Sequence, residues 1–295
     1  MQNKKFKLII AAILTIVYVQ KNIAAPVVMV KDMAVEMERG NLRANPGITQ
    51  KLKNDEIGEL SQAFNEMADS LASSEGMRRN FIANVSHELK TPISSILGFT
   101  ETLMNNPDMD FDKKLFFIER CHAQAVRLTN LLQDISMLNK LDESSDSFEM
   151  DEINISDIIN GVAQDVSLAL EEKNMHIEID VPENTMMNGN TLQIYSIFRN
   201  LIDNSILHAG VGATIFIECY RTDLEYLYFS VADNGVGVDN KHLNKLFDRF
   251  YRVDKGRSRK LGGTGLGLSI VKNAVQFHQG RISAKNRRGG GLEFL

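Results

Sequence analysis

Cysteine is scarce: Cys121 and Cys219 are the only two in 295 residues, far apart and in no Cys-x-x-Cys pair. That argues against a disulfide framework or a zinc site, and a reducing compartment is expected for the bulk of the chain. A basic excess is also lacking. The formal net charge is -5 with both signs interspersed, which argues against a nucleic-acid binder. There is no internal repeat, no long low-complexity tract, and no Gly-Lys-Ser/Thr phosphate loop. The apolar run at residues 8–19 is 12 residues long, short of the roughly 20 that a spanning helix needs.

What is present is the composition of a folded protein, 43% hydrophobic and 24% charged, with room for about two domains and connecting helices. Lys4, Lys5 and Lys7 precede the apolar run and Lys21 follows it. Phe6, snorkelling lysines and residues 23–30 could lengthen it, so residues 1–25 are expected to anchor the chain in a membrane. A signal peptide is the competing reading, and it is disfavoured because no small-residue cleavage site follows. Lysines on both sides leave the orientation open.

Residues 26–75 read as two helical segments around a polar connector holding Pro46 and Gly47. Pro26 opens the first, which stops near Gly40. In the second, Ile57, Leu60, Phe64, Met67 and Leu71 recur at 3,4 spacing, a coiled-coil seam. A third region, 76–142, reads as two long helices broken at Asn106-Pro107-Asp108. Ile82, Val85, Leu89, Ile93 and Ile96 fall in one arc, with His87 nearly opposite and Thr91 one turn beyond it. The following helix carries Ile118, Ala125 and Leu132 in one heptad position and Cys121, Leu128 and Ile135 in another. Two helices cannot bury such seams alone, and a dimeric four-helix bundle would.

After an acidic, serine-rich linker at 142–147, residues 150–295 mix helices and strands in an α+β pattern. Helices are expected at 154–172, 192–207 and 265–278, and strands at 175–181, 214–220, 224–232 and 281–284.

Several clusters carry chemistry. A solvent-facing His87 is a competent neutral nucleophile near pH 7. Adjacent Glu88 could orient the ring or accept its proton, and Thr91 could place a water. A lone His-Glu pair on a helix is more often a surface charge pair. Asn200 and Asn204 lie one turn apart, and their amide oxygens suit a hard cation such as Mg²⁺ that keeps waters and phosphate ligands. Alone they would read as helix-surface asparagines. Asp233-Asn234-Gly235-Val236-Gly237 closes an apolar strand with a carboxylate able to accept from an exocyclic amine, as on adenine, or else forms a simple turn. Gly263, Thr264, Gly265, Leu266 and Gly267 lead into a helix whose first N–H groups favour phosphate. Between these runs lie Phe250, Arg252, Lys255, Arg257, Arg259 and Lys260, suited to a mobile lid over a triphosphate or to a solvated loop.

Taken together, these strings resemble a known family. Pro26, Gly40-Asn41-Leu42 and DEIGEL at 55–60 resemble the HAMP relay module. SHELKTP at 86–92 resembles the H box of sensor histidine kinases almost letter for letter. The clusters from 188 to 280 resemble, in order and spacing, the N, G and F boxes of the GHKL (Bergerat-type) ATPases. The resemblance implies a homodimeric kinase in the bacterial cytoplasmic (inner) membrane, its catalytic part cytoplasmic. It would move the γ-phosphoryl of ATP to His87 and on to an aspartate of a response regulator receiver domain. It further implies that Asn204, assisted by Asn200, binds Mg²⁺ and that Asp233 reads adenine. Gly235, Gly237, Phe250, Arg252 and residues 263–267 would line the nucleotide.

Two departures stand out. Leu207-His208 replaces a usual Lys-Tyr, which leaves one phosphate-facing cation to be supplied by Arg252 or the lid. The resemblance also implies a longer last strand than the run ending at Leu295, and a sensor domain ahead of the apolar run, so an edge strand cut short is expected. Alternatives are a catalytically weak dimeric signalling scaffold, and an enzyme that chiefly dephosphorylates its regulator through Thr91.

Overall fold

The computed structural model describes residues 2–39, 56–143, 149–223, 225–254 and 263–295. The expected HAMP connector with Gly40, the 142–147 linker beyond Glu143, and the lid cations Lys255, Arg257, Arg259 and Lys260 lie outside the described residues. Two compact units divide the chain, Met1–Val85 and Ser86–Leu295.

In the first unit, α1 (Gln2–Val19) passes through a π turn (Gln20–Ala24) into α2 (Ala25–Glu38). Pro26 stands in the first turn of α2, where its missing N–H costs least. Pro26 thus opens α2, as its position in the sequence suggested, without interrupting the helical path from α1. Lys4–Glu38 is long and apolar enough to cross a membrane by length and composition, and its leucines, isoleucines and valines are largely exposed. The helix α3 (Glu56–Asn105) follows, its Leu60, Met67 and Leu71 also exposed.

In the second unit, the remainder of α3 pairs with α4 (Phe111–Glu143). The Phe99 and Phe117 rings lie 5.8 Å apart, and Cys121 Sγ lies 3.9 Å from the Ile96 carbonyl. This contact puts the Cys121 seam towards α3. Ile93, Leu97, Ile118 and Leu132 are exposed, whereas Leu131 and Leu138 are buried. Where α4 meets the later helix α9 (Gly267–Phe277), it carries Leu131, Asp134 and Leu138 on one face.

The rest of the unit is an α+β domain. A small antiparallel sheet joins β1 (Asp151–Asn154) to β3 (Met186–Gly189). The expected 154–172 helix is two, α5 (Ile155–Asp165) and α6 (Ser167–Glu172), separated at Val166. β2 (His176–Asp180), β4 (Thr214–Thr222), β5 (Leu227–Asp233), β6 (Ala284–Asn286) and β7 (Leu292–Phe294) form one sheet ordered β2-β4-β5-β7-β6. Only β2 with β4 is parallel. Because β7 pairs with both β5 and β6, the final strand is internal and not the edge expected from sequence.

On β4, Ile215 and Ile217 are buried while Thr214 and Phe216 are half-buried, the alternation of a sheet covered on one face. Those isoleucines share a core with Ile159 of α5, Ile202 of α7 (Thr191–His208) and Val271 of α9. Asn154 and Asn190 cap α5 and α7 by accepting from Ser156 N and Gln193 N. His278, just past α9, accepts from Asn190 N at 3.1 Å while its Nδ1 meets Ala274 O at 2.8 Å. A short α8 (Asn240–Leu243) follows β5.

Candidate functional site

Asp233 ends β5 with a carboxylate only 4% exposed. Buried charge needs partners, and three elements supply them. Oδ1 accepts from Gly235 N at 2.8 Å and Leu292 N at 3.3 Å, and Oδ2 accepts from Ser205 Oγ of α7 at 3.3 Å. The loop after it is pressed on all sides. A Cβ on Gly235 would stand 2.5 Å from Ala209 Cα, and Gly237 has φ +67 with Asn286 Oδ1 where its Cβ would be, at 2.7 Å. Asn286 pins that loop by accepting from Val238 N and donating to Val238 O and Asn240 Oδ1. Gly291 backs it from behind at φ +98, where a Cβ would overlap the Asp233 carbonyl.

α7 carries Asn200 and Asn204 one turn apart on one face. Asn200 Nδ2 donates to Ser196 O and Oγ, at 2.8 and 3.1 Å, which turns Oδ1 to within 2.5 Å of the Cβ position of Gly267. The first residue of α9 must therefore be glycine for α9 to start beside Asn200. Asn204 is half-buried, and its amide makes no hydrogen bond among the described residues. No group of three or more His, Cys, Asp or Glu able to hold a metal occurs among the described residues. Two amide oxygens without a carboxylate cluster fit Mg²⁺ that is carried mainly by phosphate and water.

Phe250 has φ +63, costly for a residue with a side chain, and its N–H donates to Gly265 O at 2.7 Å. Gly265, at φ +77, lies against Phe250 and Arg252. Thr264 Oγ1 accepts from Leu266 N and donates to Asp134 Oδ2 at 2.7 Å. Burial pushes the Asp134 carboxyl above its ordinary range, against the Thr264 hydrogen bond, with Asp203 adding repulsion.

His87 stands on α3 with its side chain 64% exposed, beside Thr91, which donates to the His87 carbonyl at 3.2 Å. A cavity of about 390 Å³ opens there, lined by His87, Lys90, Thr91, Ser94 and Ser95. Glu88 lies between the ring and two cations, its Oε1 3.8 Å from His87 Nδ1. Its carboxylate, 12% exposed, meets Arg127 of α4 at 3.2 Å and Arg252 at 3.4 Å. Arg252 is only 7% exposed and also donates to Gly263 O. The cation expected to face phosphate is thus engaged with the residue next to His87.

The fold sets Asn200 against Gly267, and joins Asp233 to Gly235 and to Ser205 of the same helix, α7. It links Glu88 to Arg252 and Thr264 to α4, which the sequence did not suggest. Missed altogether were Ser205, Asn286, Leu292, Arg127 and Asp134. Only Asn286, a polar residue among glycines and basic residues near the chain's last strands, offered any local signal.

Comparison with known proteins gives three family matches: the HAMP domain over residues 18–73, the His Kinase A (phospho-acceptor) domain over 77–144, and the histidine kinase-, DNA gyrase B- and HSP90-like ATPase over 189–295. The chain is 30% identical over 268 residues to the sensor-like histidine kinase SenX3 of Mycolicibacterium smegmatis, covering 88% of this chain and 69% of that protein. It is 34% identical over 220 residues to the phosphate regulon sensor protein PhoR of Pseudomonas aeruginosa, covering 75% and 49%. Thus the chain spans about half the length of PhoR and 57% of BaeS of Escherichia coli, to which it is 28% identical over 272 residues, 92% of this chain. Among solved structures, histidine kinase ThkA in complex with response regulator protein TrrA matches with TM-score 0.60 and 20% identity, over 76% of this chain and 62% of that one. Histidine kinase AdeS of Acinetobacter baumannii matches with TM-score 0.57 and 20% identity, over 70% and 94%.

Proposed function

The chain belongs to the sensor histidine kinases, and from that footing we propose that it transfers the γ-phosphoryl of ATP to His87 and then to an aspartate on a response regulator. The observation that carries the reading is the pairing, in one compact unit, of an outward His87 with the Asp233 carboxylate and the Asn200–Asn204 pair. Asp233 is preorganised by Gly235 N, Leu292 N and Ser205, so it can accept the adenine amine without first reorganising. Asn204, helped by Asn200, would hold Mg²⁺, which neutralises triphosphate charge. The N–H groups opening α9 would take phosphate oxygens. An imidazole nitrogen of His87 bonds to phosphorus as the bond to the diphosphate leaving group breaks, and the ring gives up its N–H proton. Positioning and electrostatics do most of the work in such transfers.

We assign residues 1–25 to the membrane anchor, 26–75 to the HAMP relay, 76–142 to the phosphoacceptor helices and 150–295 to ATP binding. The exposed Ile93, Leu97, Ile118 and Leu132 favour a homodimer, in which a second copy covers them. The receiver-domain partner follows from the acceptor chemistry, and the solved ThkA complex with a response regulator supports it. The Lys4–Glu38 helix supports insertion in the inner membrane with a cytoplasmic catalytic part.

Labelled ATP should give acid-labile, base-stable label on the full chain. His87→Gln should remove it, and Asn204→Ala should abolish Mg·ATP binding. Unchanged labelling of His87→Gln would overturn the acceptor. A second reading, regulator dephosphorylation assisted by Thr91, is favoured by the Arg252–Glu88 pair, which withdraws a nucleotide-site cation. Thr91→Ala should then lower phosphatase activity more than kinase activity.

A further inference from the structure

Glu88 is the side chain nearest the reactive ring that is itself held by charge. Oε1 lies 3.8 Å from His87 Nδ1, and Oε2 lies 3.2 Å from Arg127 Nη2 and 3.4 Å from Arg252 Nη2. The two guanidiniums do not stand on equal ground. Arg127 is built into α4 of the same helical pair as His87, so its grip survives any movement of the nucleotide-binding domain. Arg252 comes from the loop after α8 and also binds Gly263 O beside α9, so its grip depends on that domain. If Arg252 left Glu88 for a phosphate, Arg127 would still hold the carboxylate.

We propose that Arg127 is a positioning residue for phosphoryl transfer. It fixes Glu88 Oε2 so that Oε1 faces the Nδ1–H of His87, which leaves the Nε2 lone pair outward, on the side open to solvent. At 3.8 Å the Oε1–Nδ1 contact is longer than a hydrogen bond, and a modest turn of the exposed ring closes it. The orientation matters because the two ring nitrogens are distinct: the hydrogen bond at one sets which tautomer, and hence which lone pair, is presented. In the transfer, the N–P bond forms at Nε2, the phosphorus–oxygen bond to the diphosphate breaks, and the Nδ1 proton passes along the Glu88 contact. Arg127 is 16% exposed and Glu88 12%, so solvent cannot replace the guanidinium without rearrangement. A purely structural role, fastening α4 to α3, is the rival explanation. It predicts effects independent of Glu88.

The inference rests on the reading of His87 as phosphoacceptor, and the assay separates the two. The full chain in detergent micelles is labelled with saturating Mg·ATP as wild type, Arg127→Met, Arg127→Lys, Glu88→Gln and the Arg127→Met/Glu88→Gln double variant. If wild type takes no label, the phosphoacceptor reading fails. Given wild-type labelling, Arg127→Met should lower the maximal rate about tenfold with KM for ATP unchanged, as expected for loss of a charged hydrogen bond. Arg127→Lys should recover most of that rate. In the Glu88→Gln background, Arg127→Met should add less than about a twofold further loss, because a residue acting through another shows no separate effect. An equal factor in both backgrounds, or no loss at all, overturns the proposal. Histidine-selective ¹⁵N NMR gives a second readout that needs no residual activity: wild type should favour Nδ1–H at His87, and Arg127→Met should shift the tautomer ratio. An unmoved ratio in folded Arg127→Met also overturns it.

Discussion

Replacing Gly291 by alanine should damage nucleotide binding without touching the nucleotide, and Gly289→Ala should not. The two glycines share nearly the same backbone, φ +98 and φ +97, so a side chain at either pays a similar conformational cost of about 1–2 kcal/mol. Their surroundings differ. A Cβ at Gly289 meets nothing within 4 Å, whereas at Gly291 it overlaps the Asp233 carbonyl oxygen and stands 2.6 Å from its carbon and 3.0 Å from Asn234 Cα. These are backbone atoms, so no side-chain rotation relieves the overlap. Forced repacking of this kind costs roughly 1–3 kcal/mol. The displaced strand also pulls Leu292 N from the Asp233 carboxylate, a hydrogen bond to a charged group worth about 1.5–3 kcal/mol. Gly291→Ala should therefore lose about 3.5–8 kcal/mol of stability in this region, against roughly 1–2 for Gly289→Ala. ATP affinity should fall about 10- to 100-fold in the first variant, since the misdirected carboxylate loses one charged contact. Titration with a fluorescent ATP analogue, alongside thermal melts, measures both. Equal behaviour of the two variants, or wild-type affinity in Gly291→Ala, would refute the reasoning.

Two further expectations concern pH. Burial raises the Asp134 pKa above 3.8, so its contribution to stability is full below that value and is lost as pH rises through the folded-state pKa. Asp134→Asn, which keeps an acceptor for Thr264, should melt higher than wild type at neutral pH. The gap should close towards pH 3.8, and a constant gap in the melting series would count against it. His278 behaves oppositely: burial lowers its pKa from 6.5, against the Ala274 carbonyl. Its contribution is present above 6.5 and lost as pH falls through the folded-state value, where a protonated Nε2 could no longer accept from Asn190 N. Melting of His278→Gln should vary less with acidification than wild type; identical slopes would remove His278 from the account.

Chemistry that is local in sequence was legible. Asn200 and Asn204 announce themselves by helical spacing, His87 by its place opposite the apolar arc, and Asp233 by closing an apolar strand ahead of two glycines. Features assembled from distant segments were not. Arg127 reaches Glu88 from another helix, and nothing in the run around Arg127 distinguishes it from an ordinary solvated base. The break at Val166 escaped notice because neither glycine nor proline marks it, and the apolar spacing continues across it. The β1–β3 pair is too short to show alternation, and its stability comes from the pairing itself. Pro26 was legible as the opening of a helix. Proline usually punctuates a helix, yet in a first turn after a π turn it is harmless.

Leu131 and Leu138 are buried on α4, the helix that packs against α9, and they set a threshold for any signal arriving along the helices. A movement of α9 that wetted both leucines would cost about 1.5–3 kcal/mol for each. Unaided, the separated arrangement would then be populated roughly one part in 10² to 10⁴. An input that gives the two leucines new cover, or strains the contact by a comparable amount, would be enough to tip the balance, and a weaker one would leave the domains where they are.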